Sequence, residues 1–301
     1  MSGTAAKFNV HEAITARIVD AIEKGAGDFV MPWHGPALRR PVNAHSKRGY
    51  NGVNILSLWI TANERGYDNS EWASFKQWLD MGAHVRKGEK GTPIVFYKLL
   101  EADNEGAGEG DEPRNIPFAC ASWVFNANQV EGYSVAKTEC ASAPTFERLQ
   151  VVEQAIRATG AIIEYSGTRA FYSYKTDRIT IPEPSRFVGS PTSTAQEAFY
   201  STILHELVHH SGAEHRLNRE KGKRFADKPY CFEELIAELG AAFLCADLGI
   251  TNEPRADHAQ YLTPYLKLLK EDTRAIFRAA TAASAAAAYV LAAGKQQAKA
   301  A

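Results

Sequence analysis

The residues best equipped for chemistry stand together at positions 205–209, as His205-Glu206-Leu207-Val208-His209. At about 3.6 residues per turn, two His four apart sit one above the other on a single helical face. Two imidazoles so placed can hold one Zn²⁺, and a Glu next to the first can accept a proton from a water at that ion. His205 and His209 are therefore the expected metal ligands and Glu206 the expected base. The surroundings supply the helix this spacing requires. Thr194 answered by Glu197 has the form of a capping box. Phe199, Ile203, Leu204, Leu207 and Val208 make an apolar stripe at helical spacing. Gly212 is suited to end the helix in a left-handed conformation.

A closed site needs a third ligand. Reading on from His205, HELVHHSGAEH fits the longer pattern H-E-x-x-H-x-x-G-x-x-H, which would recruit His215. That pattern goes with a methionine turn downstream. The chain's methionines are Met1, Met31 and Met81, all upstream, which disfavours His215. The rival ligand lies on a helix expected over 230–248, where Glu234 and Glu238 share a face. This E-x-x-x-E resembles the gluzincin arrangement, in which a His pair meets a Glu from a second helix. The resemblance implies Glu234 as the third ligand and Glu238 as the acid that holds a ligand His from behind. Glu233, about 100° around the helix, is the alternative ligand. Leu235, Ile236, Leu239, Ala242 and Phe243 interleave with these acids, so carboxylates there need partners. His₂Glu ligation admits Zn²⁺ or another divalent ion such as Mn²⁺. Tyr230, His210, His215 and Arg216 are the candidates to stabilise an oxyanion.

A length of 301 residues suits one large domain or two ordinary ones. The net charge of −1 conceals asymmetry: residues 1–100 hold 13 Lys/Arg against 9 Asp/Glu, while 101–113 hold six acids and no base. A basic half is a pointer toward a polyanion. Four cysteines without C-x-x-C spacing fit a reducing compartment. The N-terminus lacks the apolar run of a signal peptide, and no uncharged stretch reaches membrane-spanning length. A cytoplasmic protein without membrane partners is expected.

In the first half, a helix is expected over 10–23, then a Gly/Pro-rich segment that opens into a helix near Asn54. Trp33, Arg39, Arg40, Lys47, Arg48 and Tyr50 bring aromatics and cations together there. Such a mixture suits bases stacking on rings while cations follow phosphates; it equally suits rings that pin a loop to a core. A short helix is expected over 69–80, with Trp72, Phe75 and Trp78 as a core stripe. Arg86, Lys87 and Lys90 form a basic glycine-rich turn before a strand bearing Phe96 and Tyr97, and a further strand is expected over 117–129. The expected organisation is α+β in two domains. Residues 1–135 form an α+β unit, 136–145 a linker, and 146–301 a mainly helical unit with a small sheet and an interruption near Pro264.

The chain as a whole resembles the ArdC-type antirestriction proteins of conjugative plasmids. The resemblance rests on YNGVNILSLW, KGEKGTPIVFYK and WVFNANQVEGY, then on HELVHHSGAEHRLNR and EELIAELGAAFLCADLGI. The first half is also similar to the N-terminal part of plasmid conjugative primases. The resemblance implies an N-terminal domain that binds single-stranded DNA and a zincin-like metallopeptidase domain. Together they would protect incoming plasmid DNA from host restriction during conjugation. The DNA contacts expected are Trp33, Arg39, Arg40, Lys47, Arg48, Tyr50, Arg86, Lys87, Lys90 and Tyr97. The alternative is a zinc-dependent endopeptidase that cleaves a host restriction enzyme subunit, with DNA binding as targeting.

Overall fold

In the computed structural model, the described residues are 9–25, 31–34, 39–101, 115–134, 145–190, 193–220, 228–252 and 261–300. The acidic run and most of the linker expected at 136–145 lie outside them.

Asn9 opens the first helix, α1 (Val10–Gly25), accepting from the backbone N–H groups of His11 and Glu12 through Oδ1. Ile14, Ile18 and Ile22 recur every four residues and are all buried. Helix α2 (Val53–Arg65) follows the short strand β1 (Val42–Asn43). Next come β2 (Glu71–Ser74) and α3 (Phe75–Asp80), where the sequence predicted a single helix over 69–80. Ser74 decides the division. It caps α3 in a capping box with Gln77, which leaves Trp72 in a strand paired with Asn126.

Two long strands, β4 (Thr92–Glu101) and β5 (Asn115–Asn126), form an antiparallel hairpin, and the sheet order is β1-β2-β5-β4. The β4 edge is closed by α2 rather than by another strand. Asn54 exchanges two hydrogen bonds with the Val95 backbone, at 2.7 and 2.8 Å, and Ser57 donates to the Pro93 carbonyl. Strands β3 (His84–Val85) and β6 (Val130–Glu131) pair separately.

The second half begins with α4 (Thr145–Ala158). A three-stranded sheet follows, β7 (Ile162–Tyr165), β8 (Phe171–Ser173) and β9 (Arg178–Ile181), in order β7-β9-β8. Four helices complete it: α5 (Ala195–Ser211), α6 (Lys228–Leu248), α7 (Leu262–Glu271) and α8 (Ala275–Ala300). The interruption falls between Glu271 and Ala275; Pro264 sits in the first turn of α7, where its missing N–H costs nothing. α8 is long and apolar enough to cross a membrane by length and composition alone, but half of that stretch is buried inside the molecule.

One hydrophobic core spans the two halves. Ile14, Ile18, Trp33, Leu56 and Trp59 belong to the same buried cluster as Leu207, Phe243, Tyr265 and Ala283. Polar ties follow the same seam: Thr15 to the Thr273 carbonyl at 2.7 Å, the Gly52 amide to Ser284 Oγ at 3.0 Å, and Arg40 to Asp247 at 2.8 Å.

Candidate metal centre and nucleic-acid surface

Helix α5 is built as its sequence predicted. Thr194 Oγ1 accepts from the Glu197 amide at 3.1 Å, and Glu197 accepts from the Thr194 amide at 3.0 Å. The second carboxylate oxygen of Glu197 accepts from Thr251, which fastens the start of α5 to the chain beyond α6. Phe199, Ile203, Leu204, Leu207 and Val208 are buried, and so are His205, Glu206 and His209.

Helix α6 packs tightly on α5 where Gly240 faces Val208. A Cβ on Gly240 would stand 2.7 Å from a Val208 methyl, so the residue must be glycine for the helices to meet. This approach sets Glu234 opposite the His pair. Its carboxylate oxygens lie 3.7 Å from His205 Nε2 and 3.6 Å from His209 Nε2. One ligand atom from each of the three lies within 4.8 Å of the others, and among the described residues this is the group of such side chains that could hold a metal. Two imidazoles and a carboxylate, buried and convergent, fit a divalent ion such as Zn²⁺ or Mn²⁺. Burial would lower the His209 pKa, but the Glu234 and Glu233 carboxylates outweigh it and raise it to about 9. Burial would raise Glu234, but His209 and His205 pull it down to about 2. The pocket thus favours positive charge where the three ligands converge.

The acid behind His209 is Glu233, which corrects the assignment of that role to Glu238. Glu233 Oε1 lies 3.2 Å from His209 Nδ1 and accepts from Arg219 at 2.7 Å, while Oε2 accepts from Arg219 Nε at 3.0 Å. Glu238 shares the Glu234 face but lies one turn, about 6 Å, further along α6, beside the N-terminal half. There its Oε2 lies 3.8 Å from His34 Nε2, both side chains being buried. His215 is exposed beside Asp177 and outside the metal group, as the missing methionine turn predicted. Gly212 ends α5 with φ −79°, not in the left-handed conformation expected of it.

The oxyanion candidates now separate. Tyr230 stands at the site, hydrogen-bonded to Glu234 and 3.0 Å from the Tyr261 hydroxyl; burial, then Tyr261, keeps its proton in place. Arg216 is tied to Asp177 and donates to the His210 carbonyl. His210 is buried against Tyr172, and burial followed by Arg216 lowers its pKa to about 4.

The expected nucleic-acid residues divide as well. Arg39, Lys47, Arg48, Arg86, Lys87, Lys90 and Tyr97 are exposed. Trp33 is a correction: it has no exposed surface, and its carbonyl accepts from Asn252 at 3.2 Å, so it locks the two halves and offers no face to a base. Tyr50 is half-buried between two cores, with its hydroxyl engaged by Asn43 and the Trp72 carbonyl. Arg40 bonds the Tyr50 carbonyl, Asn51 and Asp247, and lies 5.5 Å over the Phe243 ring, so its guanidinium is a structural tie.

Trp72 and Trp78 are buried as the core stripe predicts, but Phe75, expected with them, is exposed, and so is Trp123. Trp123 and Phe75 are 48% and 51% exposed. A Cβ on Gly91, next to Lys90, would stand 2.9 Å from Trp123 Cβ and 3.2 Å from the Phe125 ring, and Phe125 contacts Phe75 edge-on at 6.3 Å. The basic turn at 86–90 therefore adjoins a row of aromatic side chains. The signal lay in the alternation of SWVFN across β5. Alternation reports that one face is outward, not which one.

Residues 8–125 match the family model described as the N-terminal domain of anti-restriction factor ArdC, and 150–282 match that of a zincin-like metallopeptidase. The chain is 41% identical to the uncharacterized protein y4eC of Sinorhizobium fredii, over 91% of this chain and 89% of that one. It is 31% identical to the DNA primase TraC of Escherichia coli over 95% of this chain, but only 20% of the primase. The primase likeness is thus not confined to the first half. Two crystal structures of antirestriction protein ArdC from plasmid R388 share 32% identity with it. The metal-free one superposes with a TM-score of 0.77 over 96% of this chain and 99% of that one; the Mn(II)-bound one has a TM-score of 0.74 over 95% and 98%. With both family models matched in order and an ArdC structure covered almost end to end, this chain belongs to the ArdC family of antirestriction proteins.

Proposed function

We propose that this chain binds single-stranded DNA through the 86–97 turn and strand and the adjoining Trp123 and Phe75. In this way it protects incoming plasmid DNA from host restriction during conjugation. Residues 1–135 carry the DNA surface, and 146–301 carry the metal site. The observation that carries the reading is the exposed basic turn set against exposed rings, within the part matched by the ArdC N-terminal family. Stacking accepts any base, and lysines follow the phosphates, so a strand is favoured over a duplex whose base faces are covered. Anisotropy of a labelled single-stranded oligonucleotide on the full-length protein, across a salt series, tests this. Affinity should fall steeply with salt, and Lys87→Ala with Lys90→Ala should reduce the log–log slope by roughly 1–2. Equal affinity for duplex, or a salt-independent signal, would refute the reading.

A second reading has a specific observation behind it: Glu206 is buried beside the His pair, where a purely structural ion would not need it. In this reading the chain is an endopeptidase acting on a host restriction-related protein. His205, His209 and Glu234 would hold a divalent ion, which when bound would supply Lewis-acid polarisation of a peptide carbonyl. Glu206 takes the proton of the attacking water and returns it to the departing amine. Tyr230, keeping its proton, donates to the developing oxyanion. Glu206→Ala separates the two readings. Antirestriction in a conjugation assay should survive it if DNA coating is the mechanism, and should be lost with metal still bound if hydrolysis is.

A further inference from the structure

We propose that Arg219 is a positioning residue of the metal centre, fixing His209 through Glu233 and held in place by the absence of a side chain at Gly212. The inference rests on the metal-site reading above. Arg219 comes from the loop after α5 and turns back onto the end of that helix. Its guanidinium donates to both Glu233 oxygens, at 3.0 and 2.7 Å, to Ser211 Oγ at 2.9 Å and to the Val208 carbonyl at 2.5 Å. It is nine-tenths buried, as is Glu233. The fork geometry matters, because one planar cation satisfies a carboxylate and a helix C-terminus together.

The consequence for His209 follows from the hydrogen bonds. Glu233 Oε1 stands 3.2 Å from His209 Nδ1, which directs the Nε2 lone pair toward Glu234 and the ligand position. When Nε2 serves as a ligand, Nδ1 still faces Glu233, so the direction of that carboxylate sets the ring. The buried carboxylate then keeps Arg219 as its charged partner among the described residues. Without the two hydrogen bonds from Arg219, Glu233 would lose the contacts that hold its carboxylate, and His209 would lose the acceptor that orients it. Gly212 protects the same arrangement. A Cβ there would stand 2.6 Å from Arg219 Nη2 and 2.9 Å from its Cζ, and the guanidinium is pinned on its other sides. This gives glycine at 212 a reason that does not involve backbone conformation.

The test uses full-length protein stripped with chelator and titrated with Zn²⁺ or Mn²⁺, alongside thermal unfolding of the metal-free form. Arg219→Ala should weaken metal binding about 10- to 100-fold, the range for removing a partner behind a ligand His. Arg219→Lys keeps the charge without the fork and should fall between. Gly212→Ala should weaken binding when Arg219 is present and add little in the Arg219→Ala background. An arginine with a structural role alone would lower the metal-free unfolding temperature and leave the affinity of the folded molecules unchanged. Wild-type affinity, within about twofold, in Arg219→Ala overturns the proposal. If that variant does not fold, wild-type affinity in both Arg219→Lys and Gly212→Ala overturns it. A wild-type protein that binds neither ion overturns the metal-site reading itself, a separate result.

Discussion

Two tryptophans show how far apart the roles of one residue type lie in this chain. Trp33 has no exposed surface and its carbonyl is bonded by Asn252, while the Trp123 ring stands half in solvent beside the basic turn. Trp33→Ala should therefore cost about 3–5 kcal/mol of stability, as for large core truncations. Thermal or denaturant unfolding measures that directly. Trp123→Ala should leave the unfolding midpoint nearly unchanged and weaken single-stranded DNA binding by about 1–3 kcal/mol, the worth of one stacked base. The opposite pattern, a DNA defect at Trp33 and a stability defect at Trp123, would remove the stacking surface from where it has been placed. Arg40 shows a similar reversal, since a cation in a basic segment serves as a tie to Asp247 across the two halves.

At the scale of elements, α5 and α6 are what bring the site into being. α5 needs a firm start, and Glu197 supplies it by accepting from Thr194 and Thr251 at once. Burial alone would raise the Glu197 pKa, but these hydrogen bonds favour the ionised form and lower it below 4.5. A carboxylate with a depressed pKa contributes stability that is present above its ordinary value and lost as pH falls through its folded value. Glu197→Gln should accordingly cost about 0.5–2 kcal/mol near neutral pH, the range for a lost cap. The gap from wild type should close as the pH drops below 4.5. Unfolding midpoints at neutral and acid pH check both parts; a gap constant across that window would show that the charge on Glu197 is not what holds the cap.

For the molecule as a whole, the shared core decides how the halves behave. α1 and α2 bury Ile14, Ile18, Leu56 and Trp59 in the same cluster as α6, α7 and α8. Such a surface, left without its partner, would expose large apolar side chains to water. A fragment ending at residue 135 should therefore fail to fold independently or aggregate, which circular dichroism and size-exclusion chromatography would report. The full chain should unfold in a single transition that metal shifts upward for both halves together. A well-folded, monomeric 1–135 fragment would contradict this coupling. The shared core also places the proposed DNA surface and the candidate metal centre on one body, since His34 from the first half rests against Glu238 on the helix that bears Glu234.

Much of this was legible in the residues alone, because short-range rules govern it. The spacing of His205 and His209, the Thr194–Glu197 cap and the apolar stripe specify a helix with two ligands on one face, whatever surrounds it. Glu234 was reachable through the resemblance of E-x-x-x-E to a known two-helix arrangement, and the structure brings it within 3.7 Å of the pair. Family membership, too, was readable from five long segments spread over both halves. What the tertiary structure decided is which way side chains face once helices and strands meet. The contact of Gly240 with Val208 sets the rotation of α6, which turns Glu233 toward His209 and Glu238 toward His34. Burial of Trp33, engagement of Arg40 and the outward face of Trp123 depend likewise on partners distant in the chain. Local pattern fixes period and polarity; only packing between remote segments selects the face that meets solvent, a neighbouring carboxylate or a ligand.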